Sequence, residues 1–250
     1  MIKETRILLH HGKQFIGDLR KQPVSELFRG RPVIDEMTDA EKKEVCRICP
    51  VEAIDRNSGA IDLGRCVFCR ECSFLLPEKI RFTNDYRIAS NHRSGLIIKP
   101  GDGDHVFFDQ SERVSLIRKV FRRALKLRQV SAGGDNSCEM ELTASGNVNF
   151  DFGRYGIEFV ASPRHADGLV ITGPVTVNMA KALEITYKAL PQPAVIILAG
   201  TDAISGGLFE KSPAIDRSFI DDHRTDLYVP GNPAHPLTYI NGVMDLLGIG

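Results

Sequence analysis

The residues with the clearest chemistry are cysteines. Of six, five lie between Cys46 and Cys72, and the sixth is Cys138. Thiolates are soft ligands for iron and zinc. The opening MIKETRILLHHGKQF lacks the apolar core and small-residue cleavage site of a secretory leader, so clustered thiols are expected to serve a metal rather than disulfides. In Cys66-x2-Cys69-x2-Cys72 a tight loop lets successive sulfurs reach separate irons of one cubane, and a distant Cys followed by Pro, here Cys49-Pro50, supplies the fourth ligand. This predicts one [4Fe–4S] cluster on Cys49, Cys66, Cys69 and Cys72. Arg65 and Arg70 flank the triplet and are placed to offset its negative charge. The spacing admits a second set. Cys46-x2-Cys49, then sixteen residues, then Cys66-x2-Cys69 matches a zinc ribbon, which would use Cys46 and leave Cys72 idle.

These cysteines need elements to carry them. Residues 1–30 are mixed and basic without a motif. Residues 31–90 are short of long periodic segments, as in a small domain built around a metal. Residues 91–134 read as a connector, with a short strand at 95–99 and a basic amphipathic helix over 111–129. In that helix Val114, Ile117, Phe121 and Leu125 recur at helical spacing. Arg113, Arg118, Lys119, Arg122, Arg123 and Lys126 fill its other faces, either as a solvated surface or as a dock for an acidic partner or anionic lipid. From 135 to 250 the pattern becomes α/β. Strands are expected at 157–161, 168–172, 194–199 and 226–229, with helices at 175–190 and 236–247, which suggests a parallel sheet. Gly and Pro follow the strand ends, where such sheets usually place their ligands.

Composition narrows the function classes. The chain has 250 residues, 42% of them hydrophobic and 26% charged, with 32 basic and 32 acidic side chains. The balanced charge gives no reason to expect nucleic acid. No apolar run reaches the ~18–20 residues of a membrane span, so any membrane link is expected through partners. The segment 200–207 is Gly-rich but lacks the Lys-Ser/Thr ending of a phosphate loop. His10, His11, His92 and His105 have no paired metal spacing, and no Ser–His–Asp arrangement has convincing context.

Two resemblances sharpen these expectations. Residues from Leu27-Phe-Arg-Gly-Arg-Pro32 to Ile88 resemble a two-cluster bacterial ferredoxin domain of the kind found in complex I and membrane-bound hydrogenases. The ligands of the first cluster would fall at Asp39, Lys42, Val45 and Leu76, none of them Cys. All four absent ligands belong to one cluster and all four present ones to the other, because each run's fourth Cys serves the partner cluster. That coherent loss implies a single [4Fe–4S] site. Residues 135–248 resemble the complex I 20 kDa subunit and the [NiFe]-hydrogenase small subunit. The motifs are Cys138-Glu-Met-Glu-Leu142, Phe150-Asp-Phe-Gly-Arg-Tyr-Gly156, Ala161-Ser-Pro-Arg-His-Ala-Asp167, Thr172-Gly-Pro-Val-Thr176, Ser205-Gly-Gly-Leu-Phe209 and Tyr228-Val-Pro-Gly231.

The second resemblance implies a flavodoxin-like α/β fold with a cluster held by four loop cysteines. Carried over, those positions are Asp135, Cys138, Asp202 and Asn232, so this cluster is expected to be lost. Arg164 and His165 would lie near the partner subunit, tuning a potential or pinning that subunit, unless they simply form a turn. The resemblance implies an electron-transfer subunit docked on a hydrogenase-like or complex I-like large subunit. It would sit at the inner face of the cell membrane through membrane-embedded partners, with the catalytic centre on another chain. The rival expectation is a scaffold that has left redox work behind.

Overall fold

Val, Ile and Leu in unbroken runs leave little choice for Gly168–Thr172 and Val195–Ala199. Every residue of both is buried, so they form the central strands of a parallel sheet covered on both faces. The computed structural model describes residues 2–12, 14–109 and 112–249, with side chains at 112 and 113 outside that description.

In chain order the first part holds α1 (Ile2–His11), β1 (Pro32–Ile34), α2 (Asp39–Ile48), β2 (Ile61–Asp62), α3 (Glu71–Leu75), β3 (Ile80–Phe82) and β4 (Ile97–Ile98). β1 pairs antiparallel with β3, and β2 with β4. The second part holds α4 (Glu112–Phe121), β5 (Leu125–Ser131), α5 (Ser137–Ala144), β6 (Ile157–Phe159), β7 (Gly168–Thr172), α6 (Val177–Lys188), β8 (Val195–Ala199), α7 (Thr201–Ser205), α8 (Ser218–Asp222), β9 (Leu227–Val229) and α9 (Pro236–Leu247). Its five strands are all parallel in the order β6-β5-β7-β8-β9. Numbered from β5, that is the 2-1-3-4-5 order of a flavodoxin-like fold.

One expectation fails. The helix foreseen over 111–129 stops at Phe121, and Leu125–Ser131 is a strand at the heart of the sheet. Arg122 takes a left-handed φ of 55° and turns the chain without the Gly that usually announces such a stop. Leu125 and Leu127 are fully buried while Lys126 is exposed, a period of two hidden inside a pattern that also suits a helix. Ser111, the foreseen helix start, and the Arg113 side chain lie outside the described residues.

The two parts pack against each other. One hydrophobic core runs from Val45, Val51, Ile54, Cys66 and Phe68 to Leu169, Ile171, Ala203 and Ile204. Ser90 exchanges backbone hydrogen bonds with Tyr228 of β9, and the pairs Arg65–Glu210 and Lys211–Glu52 close the seam at the surface. α9 is buried along nearly its whole length against the other face of the sheet. No helix among the described residues is long and apolar enough to cross a membrane.

Candidate metal centre

Cys49 caps the C-terminal end of α2, where its N–H still bonds to Val45 O at 3.2 Å. The helix is set by a capping box: Thr38 Oγ1 accepts from Glu41 N, and Glu41 reaches back to Thr38 N at 2.7 Å. This helix stands where the ferredoxin resemblance would put the other cluster. Asp39, Lys42 and Val45 lie on it at three-residue spacing, Val45 is fully buried, and Leu76 packs partly buried on the same core.

The triplet comes from the opposite side. Asp62 holds Arg93 in a two-pronged ion pair, with Nη1 to Oδ1 at 2.8 Å and Nη2 to Oδ2 at 2.6 Å, and also accepts from Gly64 N. Asp62 O accepts from Cys66 N at 2.9 Å, so this turn fixes the first cysteine. Phe68 and Arg70 then adopt left-handed backbones, φ 55° and 71°, on either side of Cys69. That winding lets Cys66, Cys69 and Cys72 face the same way as α3 begins.

Cys49, Cys66, Cys69 and Cys72 together line one cavity, walled by Val51, Ala53, Ile54, Ile61, Val67 and Phe82. Ala53 N donates to Cys49 Sγ and Phe68 N to Cys66 Sγ, both at 3.3 Å. All six cysteines are free thiols. Burial pushes the Cys66 thiol strongly up, and burial followed by the Cys69 and Cys49 sulfurs pushes Cys72 up to about 11. Such thiols ionise only beside a strong positive charge, which a bound metal supplies.

Two further observations test the fit of an iron–sulfur group. Arg70 lines the cavity, stacks over the Phe74 ring, and keeps a buried Nε without a hydrogen-bond partner. An unsatisfied guanidinium donor beside four thiols fits an anionic occupant. Cys46 does not line the cavity; its Sγ donates to Ile54 O at 3.3 Å. Among the described residues, no three His, Cys, Asp or Glu side chains are arranged to hold a single metal ion. Of the two flanking arginines, Arg65 is spent on Glu210, which leaves Arg70 for the cavity.

The second set of positions gathers at the carboxyl ends of β5, β8 and β9. Cys138 Sγ sits so close to Gly200 that a Cβ there would lie 2.4 Å from it. Burial pushes Cys138 up to about 12, with Glu139, Asp202 and Asp135 adding to the shift. Asp202 is raised by burial and then by Asp135 and Glu139. Asp135 is occupied as a turn acceptor for Ser137 N and Oγ, at 2.9 and 2.6 Å, and Asn232 is exposed. One thiol among mutually repelling carboxylates does not fit a sulfur-rich cluster. Arg164 and His165 are exposed on a short 3₁₀ turn between β6 and β7.

Two residues that the sequence does not single out join the centres. Thr201 is fully buried, and its hydroxyl donates to Cys66 O at 2.8 Å, tying the cysteine loop to the end of β8. Arg217 donates to four carbonyls: Ala203 O and Ile204 O at 2.9 Å, Pro174 O at 3.3 Å and Asp202 O at 3.4 Å. Nothing local in the sequence marks either one, because their partners are distant in the chain.

Comparison with known proteins agrees with this architecture. The model of the family described as NADH ubiquinone oxidoreductase, 20 Kd subunit, matches residues 136–246. A Pyrococcus furiosus protein named as a probable membrane-bound hydrogenase subunit is 32% identical over 133 residues, covering 53% of this chain and 80% of that one. Formate hydrogenlyase subunit 7 of Escherichia coli is 36% identical over 139 residues, covering 56% of this chain and 54% of its own length. An NADH-quinone oxidoreductase subunit of Geotalea daltonii is 38% identical over 110 residues, covering 44% of this chain and 64% of that one. With the flavodoxin-like strand order and this shared sequence, the chain belongs to the NADH ubiquinone oxidoreductase 20 Kd subunit family.

Proposed function

We propose that this chain is an electron-transfer subunit of a membrane-associated oxidoreductase complex, hydrogenase-like or complex I-like, and that Cys49, Cys66, Cys69 and Cys72 hold one [4Fe–4S] cluster. The observation that carries the reading is the shared cavity of those four thiols, with Arg70 Nε unpaired at its wall. When bound, the cluster takes up and releases single electrons. The chain's own residues define its surroundings. Ala53 and Phe68 N–H groups donate to the sulfurs, which stabilises the more negative, reduced state relative to bare thiolates. Val51, Ile54 and Phe82 keep water from the cavity. Thr201 ties the cysteine loop to the end of β8.

In this reading the region around the cysteines is a ferredoxin-like module with one cluster site, and the α/β part keeps its docking surface without a cluster of its own. The catalytic centre lies on a large subunit, and contact with the membrane runs through other subunits. The zinc set is disfavoured because Cys46 faces Ile54 O. The scaffold alternative draws on the Asp135, Asp202 and Asn232 positions, where sulfur ligands are absent.

Potentiometric EPR on the assembled complex separates the two. A signal that reduces and reoxidises during turnover supports the redox role. A cluster that stays in one state while the complex turns over would sink it and select the scaffold.

A further inference from the structure

A second feature lies away from the cysteines, in a cleft of about 510 Å³ beside β1 and β3. Arg31 lines it and is only 3% exposed. Its backbone is pinned: Arg31 N donates to Asp85 O at 2.9 Å, and Arg31 O accepts from Thr83 N at 3.0 Å and from Thr83 Oγ1 at 2.8 Å. Before it, Gly30 lies so close to Asp85 that a Cβ would come within 2.0 Å of the carbonyl oxygen. The guanidinium itself is poorly satisfied. Nη1 makes one long bond to Pro32 O at 3.3 Å, and the buried Nε has no partner.

A guanidinium does not lose its proton in a protein, so it stays charged when buried and calls for an anion. No carboxylate among the described residues forms an ion pair with it. Arg20 shares the cleft, pairs with Asp245 Oδ1 at 2.7 Å and donates to Ile249 O at 2.5 Å, and its buried Nε is likewise without a partner. Asp85 is taken by the side chain and N–H of Arg87. Lys21 stands 3.8 Å from Asp18 on a largely exposed side chain and is free to swing, and Asp104 is exposed at the rim.

We propose that this cleft binds a phosphate group, with Arg31 as the fixed anchor and Lys21 closing over it. A planar fork suits two phosphate oxygens at once, and the mobile lysine adds a point charge. The cleft is much larger than one phosphate, so the group belongs to a larger molecule, either a soluble phosphate ester or a phospholipid headgroup. None of the residues involved lines the cysteine cavity, so the proposal stands or falls apart from the cluster reading.

The test uses the full chain, purified anaerobically with its iron, and inorganic pyrophosphate as the probe in calorimetric titration. The expected result is saturable binding that Arg31→Gln weakens about tenfold or more and Lys21→Gln weakens severalfold. Asp104→Asn should tighten it by removing a repelling charge. Sedimentation with phosphatidylcholine vesicles, with and without phosphatidylglycerol, distinguishes the sources. Arg31-dependent pelleting with the anionic vesicles assigns a lipid headgroup, and pyrophosphate binding without pelleting assigns a soluble ester. Absence of saturable binding, or binding indifferent to both Lys21→Gln and Asp104→Asn, overturns the proposal. Those two surface variants decide the matter even if Arg31→Gln does not fold. Capture of an acidic partner peptide without any phosphate binding would also overturn it.

Discussion

Cys69→Ser should cost the chain its cluster and much of its stability together. Serine offers a hard, protonated oxygen where a soft thiolate is needed. The loop that presents it is wound by the left-handed Phe68 and Arg70, which fix the position of Cys69 between them. Without iron, Cys66 and Cys72 revert to their protonated forms, since burial holds both well above the ordinary thiol range. Iron should fall from about four to under about one per chain, and the EPR signal should vanish. Because metal binding is also folding energy, the loss in stability should reach about 4 kcal/mol or more. It should lower the melting temperature of the whole chain, because Cys66, Phe68 and Val51 share one core with Leu169, Ile171 and Ile204. Calorimetry showing a separate early transition beside an unchanged main one would contradict that continuity. Unchanged iron and an unchanged spectrum would remove Cys69 from the ligand set.

How much of this can be read from the residues varies by element, for physical reasons. β7 and β8 are buried on both faces, so their apolar runs stand out against any background. α9 carries Pro236 at its start and Gly248 after its end, and its boundaries match expectation. β5 is hidden because Leu125 continues the spacing of Val114, Ile117 and Phe121, and the break at Arg122 uses no glycine. The four cysteines that share the cavity stand out by their spacing and by Pro50, because a Cys-x2-Cys loop is local in sequence. What holds those loops is not local. Thr201 reaches Cys66 across 135 positions, and Arg217 chooses backbone carbonyls that carry no sequence signature. The acidic surroundings of Cys138 are half visible. Asp135 and Asp202 stand out as departures from a cysteine site, but the burial that raises Asp202, and the repulsion from Asp135 and Glu139 that adds to it, depend on how the strand ends converge.

Arg217→Met should be the most damaging single change outside the cysteines. The methionine keeps most of the aliphatic volume but removes every donor. Arg217 satisfies the last carbonyls of α7 and ties them to Pro174 in the loop after β7. The two bonds at 2.9 Å are charge-assisted, and the pair at 3.3 and 3.4 Å are weaker. Hydrogen bonds to charged groups contribute about 1.5–3 kcal/mol each, less whatever water recovers, so a loss of about 3 kcal/mol is expected. Urea unfolding of the anaerobic chain measures it. The same change should loosen Thr201 and with it the Cys66 loop, broadening the cluster signal without abolishing it. Stability within about 0.5 kcal/mol of wild type would show that Arg217 is a surface side chain of no structural weight.

Anaerobic purification of the wild-type chain, followed by iron, acid-labile sulfide and zinc analysis, tests the account at its root. It predicts about four irons and about four sulfides per chain with negligible zinc. About eight irons would mean that the carboxylate-lined site at the ends of β5, β8 and β9 holds a cluster after all. One zinc with no sulfide would contradict the reading of the four-cysteine cavity itself.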